Sequence, residues 1–291
     1  MIFRIKFAKY GVVRFIGHLD VMRYFQKVIR RSKLPVSYSQ GFSPHQLMSF
    51  ALPLSVGVTS DGEYMEVEFE DEPMRRLAAE KEGRNENPSE AAEAAEAAGA
   101  AGVPAGNITD EELETVIAEG LKSHTTEGFE ILKVRKLPDP KPNVHQDKAM
   151  ALVSAADYLI RVKDGYAGAE QVGFTSQEDF YRAFSGFMGR ESIEVTKKTK
   201  KNENVLNLKE FIYEYGNGEN TDTAGTAHAR NFTNGMQLTM RLAAGSKMNI
   251  KPEMVLEAFL NSIGREYDKN AFAFHRMELY MGEKDDLRPL I

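Results

Sequence analysis

The sequence has no cysteine and no tryptophan, and its 291 residues include no apolar run long enough to span a bilayer. Without cysteine the chain forms no disulfide bond, has no thiolate nucleophile and cannot bind zinc or an iron–sulfur cluster through sulfur. A transmembrane helix needs about 20 mostly apolar residues, so we expect no membrane association. The first ten residues alternate apolar and basic side chains, so we expect no signal peptide and a cytoplasmic protein.

Several catalytic signatures are also missing. The sequence contains no GxxxxGK[ST], HExxH or GxSxG motif, and no glycine-rich dinucleotide fingerprint follows a predicted strand. These absences argue against a nucleotide-driven motor, a zinc protease and an esterase. We predict neither a cofactor nor a metal site, and the sequence leaves open whether the chain is an enzyme.

Charge is distributed unevenly along the chain, whose net charge is −6. Residues 1–50 contain nine lysine and arginine residues and one acid, Asp20. The segment that follows contains seven acids: Asp61, Glu63, Glu66, Glu68, Glu70, Asp71 and Glu72. Polyanion binding depends on local basic patches more than on net charge. The alternative is that the acidic segment neutralises the basic one within the molecule.

Hydrophobic periodicity predicts an α+β fold in which the order β-α-β-β-α-β occurs twice. This order is that of the ferredoxin-like fold, an antiparallel sheet with two helices on one face. We therefore predict two ferredoxin-like units with antiparallel sheets, at residues 1–138 and 147–291. The first unit carries an Ala/Glu-rich insertion at about residues 73–109, whose apolar content is nearly all alanine and can bury little.

For four predicted elements the sequence also indicates which side chains are buried, how the element begins or how long it is. A helix at residues 18–32 buries one apolar face. That face consists of Leu19, Met22, Phe25 and Ile29. A strand at residues 63–70 alternates, so its acids are expected to face water. A helix at residues 110–122 begins with a capping box, and residues 205–215 are expected to form one strand.

Residues 17–54 hold more polar side chains than core packing requires, and they combine the first helix with a Gly/Ser/Pro-rich loop at residues 40–45. Four cations form a stripe roughly opposite the apolar face of that helix: Arg23, Lys27, Arg30 and Arg31. Such a stripe is suited to phosphate groups. Its alternative interpretation is a solvated face of an amphipathic helix.

The loop after this helix is expected to extend the same surface. Its aromatic rings can stack on bases, and Gly41 supplies the positive φ that turns the loop back. The candidate binding residues of the loop region are Tyr38, Gln40, Gly41, Phe42, Ser43 and His45. A second basic cluster, at the end of a predicted strand, adds Lys197, Lys198 and Lys200. A solvated turn is the alternative for that cluster.

His18, Asp20 and His45 are the candidate catalytic residues. Asp20 lies in the first turn of the helix, where the helix dipole favours an acid, and this structural role is its alternative. If the fold brings His18 and His45 together, two imidazoles can carry out acid–base chemistry near neutral pH. The sequence does not fix the distance between them, so the catalytic residues stay unknown at this point.

The same region carries a family resemblance. The stretch RFIGHLDVMRYFQKVIRRSKLPVSYSQGFSPHQLMSFALPLSVG, the pair Glu63–Tyr64, the TKKTK stretch and the pair His275–Arg276 resemble the bacterial radical SAM-linked family, a domain of unknown function. That family usually has serine where Gly17 stands here. The resemblance implies a radical SAM enzyme as partner. Because the chain has no cysteine, the resemblance also implies that it is the accessory rather than the carrier of the iron–sulfur cluster.

These observations favour an RNA-binding or RNA-modification accessory module with RNA and a radical SAM enzyme as partners. One alternative is an enzyme acting on RNA, similar in architecture to pseudouridine synthases or to repeat-RNA endonucleases. The other alternative is a protein-interaction subunit without nucleic acid, whose basic face docks an acidic partner.

Overall fold

The computed structural model describes residues 1–81, 108–139, 147–165, 168–198, 203–219 and 232–291, within which the chain forms eleven β-strands and seven α-helices. The strands are β1 (Ile2–Lys9), β2 (Met48–Phe50), β3 (Thr59–Glu68), β4 (Phe129–Lys136), β5 (Val153–Val162), β6 (Glu194–Lys198), β7 (Glu203–Asn207), β8 (Ile212–Gly216), β9 (Gln237–Ala243), β10 (Phe272–Met281) and β11 (Arg288–Pro289). The helices are α1 (His18–Ser32), α2 (Asp71–Lys81), α3 (Asp110–Lys122), α4 (Ala149–Leu152), α5 (Ala169–Val172), α6 (Gln177–Met188) and α7 (Pro252–Ser262). Most of the predicted insertion, and Lys200, lie outside the described residues.

Nine strands form one sheet, in the order β4-β1-β3-β10-β5-β9-β8, with β2 paired to β3 and β11 paired to β10. The remaining strands, β6 and β7, form a separate antiparallel hairpin. Every pairing between the described strands is antiparallel except that of β3 with β10. The predicted α+β class is therefore confirmed, and the strands of both halves of the chain belong to one continuous sheet.

The two halves meet at a short parallel ladder. Only Thr59 with His275 and Ser60 with Arg276 are register partners between β3 and β10. Two residues further along β3, Gly62 lies against the β10 backbone. A Cβ at Gly62 would be 2.6 Å from the Glu278 Cα, closer than real Cβ atoms approach, so glycine is required for this contact.

Two hydrophobic cores flank the junction. One packs α1 and α3 on the first half of the sheet and includes Phe25 and Ile117, and the other packs α6 and α7 on the second half. The second core also includes Val58 and Tyr64 from the first half of the chain, so apolar packing crosses the junction. Phe180, Phe184 and Phe187 of α6 are buried in this core.

Helix α1 begins and ends at the predicted residues, and the capping box of α3 is present at Thr109 and Glu112. The inward face of α1 was predicted wrongly at Leu19, whose side chain is 59% exposed. Its buried residues are Val21, Phe25, Val28 and Ile29. Apolar residues of α1 recur with helical spacing on more than one face, so periodicity alone does not decide which face is buried. The sheet covers the face that carries Phe25, whose ring packs on Phe7 and Phe129.

The prediction of a single strand at residues 205–215 is also wrong. It is divided between β7 and β8 by a 3₁₀ turn at Leu208–Glu210. The Asn207 side-chain oxygen accepts hydrogen bonds from the backbone N–H groups of Ile193 and Lys209, at 3.0 and 3.2 Å. This side chain competes with the strand ladder for backbone donors and ends β7, which periodicity alone does not reveal.

The expectation that the acids of β3 face water is also wrong. Glu63 and Glu66 are 5% and 6% exposed, because β3 is an interior strand whose two faces are both covered. Glu66 accepts two hydrogen bonds from Arg4, at 3.1 and 2.7 Å, and a backbone hydrogen bond from Ala149 at 3.1 Å. Buried charges of this kind are retained only when they are paired and hydrogen-bonded.

Glu63 pairs with Arg276 of β10, whose Nε and Nη2 donate to Glu63 Oε1 at 3.0 and 2.5 Å. Arg276 Nη2 also donates to the Leu52 carbonyl at 2.7 Å. Burial lowers the pKa of the Arg276 guanidinium, but Glu63 and the Tyr158 hydroxyl next to it leave the pKa above its ordinary value. The guanidinium is therefore a permanent charge inside the junction.

The change Glu63→Gln removes the counter-charge of this buried guanidinium. We expect the free energy of unfolding to fall by about 3 kcal/mol, because an uncompensated charge stays buried. Urea denaturation measures it. The matched control is Glu68→Gln on the same strand, since Glu68 is only half-buried and is in no ion pair with a described residue; we expect a change within about 0.5 kcal/mol. Equal losses in the two variants would contradict this account.

Candidate nucleic-acid interface

Helix α1 is preceded by Gly17, which occupies the N-cap position without a side-chain hydrogen bond, and it is followed by the C-cap residue Lys33 in the left-handed conformation. All residues of its polar face lie within the described part of the chain. All four cations predicted to form a stripe are exposed: Arg23, Lys27, Arg30 and Arg31. We call these four residues the basic face of α1.

Only one member of the basic face has an acidic partner among the described residues. Arg23 Nη1 lies 3.2 Å from Asp20 Oδ1 on the same helix, and both side chains are more than half exposed. The seven acids of residues 61–72 make no ion pair with α1; the two best buried, Glu63 and Glu66, pair with Arg276 and Arg4. Glu63 and Glu66 therefore neutralise Arg276 and Arg4 rather than α1.

The loop at residues 40–45 stands beside α1. It is closed by an isolated bridge between Tyr38 and Gln46, and the side-chain amide of Gln46 donates to the Gln26 carbonyl of α1 at 3.3 Å. Gly41 has φ 114°, the conformation predicted for the turn of the loop. Phe42 is fully exposed, and Gln40, Ser43 and His45 are exposed or nearly so.

The three candidate catalytic residues each have a separate contact. The His18 ring packs edge-on against Phe50 at 5.2 Å between centroids, and His45 Nδ1 lies 2.8 Å from the Ser39 hydroxyl. Asp20 pairs with Arg23, and no hydrogen bond joins any two of the three candidates in the described part of the chain. The structure thus gives each of them a local structural contact.

Two further groups lie away from this surface. Tyr24 stacks on Phe129 at 4.4 Å, and its hydroxyl accepts a hydrogen bond from the Thr126 N–H at 2.7 Å, so this ring belongs to the first core. Lys197 and Lys198 lie on β6 of the separate hairpin. In the described ranges, no cluster of three or more His, Asp or Glu side chains has the arrangement of a metal site.

Sequence reasoning missed a cleft of about 520 Å³ where the two halves meet. We call it the junction cleft. It is formed by the turn after β1, the segment entering β3, the end of β5 and the segment entering β10. Its basic side chains are Arg14, Arg161, Lys163 and Lys269, and its one carboxylate is Glu253. A usable signal was present, since residues 159 and 161 alternate along β5 and share one face, and residue 163 follows directly after its end.

The floor of the cleft carries a polar chain. His275 and Thr59, which are register partners, approach at 2.9 Å between Nδ1 and Oγ1. His275 Nε2 lies 3.2 Å from Asp61 Oδ2, so the carboxylate orients the ring. His275 is buried, and both of its ring nitrogens face protein groups.

Fold and site together define an α+β protein with one mostly antiparallel sheet, an exposed basic helix and a cation-lined cleft. A family model described as "Uncharacterized protein conserved in bacteria (DUF2344)" matches residues 3–90 and 87–252, and the chain belongs to this family. The expectation of a bacterial domain of unknown function is thereby confirmed. No curated protein matches the chain. None of the helices in the described ranges has the length and apolarity to cross a membrane.

The change Gly17→Ser tests whether a side-chain cap at the N-terminus of α1 stabilises the helix. Gly17 has φ −77° and ψ 166°, which serine adopts freely, and a Cβ there meets nothing within 4 Å. A serine hydroxyl can accept a backbone N–H of the first turn, so we expect the free energy of unfolding to rise by about 0.3 kcal/mol in urea denaturation. As a control, Gly41→Ser at positive φ should lower it. A loss of stability at Gly17 would contradict the cap assignment.

Proposed function

We propose that this protein is an RNA-binding accessory module of RNA modification in the bacterial cytoplasm. The observation that carries the proposal is the basic face of α1. It presents four exposed cations on one helix, of which Lys27, Arg30 and Arg31 have no acidic partner among the described residues. Unneutralised cations that line one exposed surface attract phosphates and release counterions on binding.

The adjoining loop supports RNA as the polyanion. Phe42 is fully exposed and Tyr38 is 45% exposed, next to the basic face of α1. Exposed rings beside a cationic surface are the elements that bind unpaired bases, because stacking tolerates any base. In this role Gln40, Ser43 and His45 supply hydrogen-bonding groups at the edge of the rings. Lys197, Lys198 and Lys200 extend the cationic surface in this proposal.

We also interpret the two halves as ferredoxin-like units. Their strands follow the orders β4-β1-β3-β2 and β10-β5-β9-β8, which is the same relation between first, second, third and fourth strand in each half. The β6–β7 hairpin is then an insertion before the second strand of its unit. Units of this shape form the sheet of many RNA-binding domains, so the interpretation supports the proposed function by analogy.

The accessory role rests on chemistry that the chain lacks. A radical SAM enzyme holds its iron–sulfur cluster through cysteine thiolates, and this sequence has no cysteine. The resemblance of residues 14–57 to radical SAM-linked proteins makes such an enzyme the proposed partner. In this arrangement the chain binds RNA and the partner performs the reaction.

The RNA-binding proposal predicts a specific loss in the double variant Arg23→Ala/Arg30→Ala. We expect affinity for single-stranded RNA to fall similarly for unrelated sequences, and the slope of log K against log salt to decrease by about 1.4, which is about 0.7 for each lost phosphate contact. Fluorescence anisotropy over a salt series measures both. The matched control is Arg182→Ala/Lys247→Ala, which removes two exposed cations elsewhere. Unchanged RNA affinity in the first variant would refute the role of the basic face, and no RNA binding by the native chain would favour a protein-interaction subunit.

The partner proposal predicts which molecules travel with the protein in its own cell. After crosslinking and affinity purification, we expect a cysteine-rich radical SAM enzyme and a restricted set of RNAs, identified by mass spectrometry and sequencing. Nuclease treatment before purification separates a direct protein contact from one bridged by RNA. Recovery of neither molecule above the level of a mock purification counts against the accessory role.

A further inference from the structure

The junction cleft offers a second site, whose residues are all different from those of the basic face of α1. Its volume of about 520 Å³ lies within the range of about 300–1,000 Å³ that small-molecule sites occupy. Both halves of the chain contribute to its wall, which places it at the kind of structural boundary where ligand sites occur.

Three of the four cations in the cleft form no ion pair with a described carboxylate. Arg14, Arg161 and Lys163 are half-buried, and none of them forms an ion pair with a described carboxylate. Lys163 Nζ donates to the Asn270 carbonyl at 2.8 Å, and Arg161 Nε donates to Gln237 Oε1 at 3.3 Å, so neutral groups hold the two side chains in place.

Arg14 and Lys163, which both line the cleft, lie close enough to repel each other. Burial lowers the pKa of Arg161, and it lowers the pKa of Lys163, which the neighbouring Arg14 lowers further. Asp268 opposes the shift at Lys163 without cancelling it. Clustering like charges in a partly buried cleft is unfavourable in the absence of an anion, and a bound anion reverses the sign of the interaction.

Aromatic rings stand beside the cations. The Arg14 guanidinium lies 4.6 Å from the centre of the Phe15 ring, and that ring is 60% exposed at the rim. The Arg161 guanidinium lies 5.6 Å from the centre of the Phe232 ring. A ligand that matches this wall carries an anionic group for the cations and a flat ring for the aromatic faces.

We propose that the junction cleft binds a nucleoside monophosphate unit, with its phosphate between Arg14 and Lys163 and its base against Phe15. The unit has two sources, a free nucleotide or the phosphorylated end of an RNA strand. Thr59 also lines the cleft, where its hydroxyl provides a polar contact to a ribose. The site adds to the proposed function and does not depend on the basic face of α1.

Isothermal titration calorimetry with the full chain tests the proposal. The probes are adenosine and uridine 5′-monophosphates, the two nucleosides, inorganic phosphate, and an RNA tetranucleotide with and without a 5′-phosphate. We expect the monophosphates to bind about tenfold more tightly than either the nucleosides or phosphate alone. Tighter binding of the phosphorylated tetranucleotide than of the monophosphates assigns the site to a strand end, and the reverse order assigns it to a free nucleotide.

Two variants identify the site. Arg14→Ala, and Lys163→Gln, which keeps a donor for the Asn270 carbonyl, should each weaken monophosphate binding about tenfold and leave the weak nucleoside binding unchanged. The control Lys247→Ala and the double variant Arg23→Ala/Arg30→Ala should bind monophosphates as the native chain does, with thermal stability recorded for every variant. Absence of monophosphate binding, equal binding of nucleosides and monophosphates, or unchanged affinity in both cleft variants would overturn the proposal.

Discussion

Glu63 of β3 and Arg276 of β10 bring opposite charges into the interior, at the two-residue parallel ladder that joins the halves of the sheet. So short a ladder gives few backbone hydrogen bonds, and side chains must supply the remaining contacts. Lys6 and Tyr64 of the first half both bind the Glu278 carboxylate of the second, at 2.6 and 2.5 Å. Polar contacts therefore join the halves in addition to the apolar packing, and the buried Glu63–Arg276 pair tolerates loss of a partner poorly.

The same pairing decides which cations are left for ligands. The acidic residues of β3 face basic residues of the sheet, such as Arg4 and Arg276, and make no ion pair with the described part of α1. The net charge of −6 therefore coexists with two basic surfaces, since interior acids neutralise interior bases. The net charge sums interior and surface charges together, whereas binding depends on the charges at the surface.

Local signals in the sequence were sufficient for elements whose stability is local. The bounds of helix α1 were predicted to the residue, because apolar spacing acts within one helix. The acids of β3 were assigned to water because alternation assumes one exposed face, whereas β3 is covered on both by partners over 80 residues away in sequence. The junction cleft was missed for the same reason, since its walls come from segments that meet only through the β3–β10 pairing.

The interior charges also fix the rim of the cleft. Lys9 is buried and its Nζ donates to the Ile16 carbonyl at 2.9 Å, which holds the turn that carries Arg14 and Phe15. Burial lowers the pKa of Lys9, and the Glu63 carboxylate opposes that shift, so the partner of Arg276 also supports the charge of Lys9. The Arg14 carbonyl in turn accepts the Gly57 N–H at 2.8 Å, which ties the turn to the segment entering β3. The position of Arg14 in the cleft and the start of α1 three residues after Phe15 thus depend on one anchored segment, because the charges that join the two halves also hold this turn.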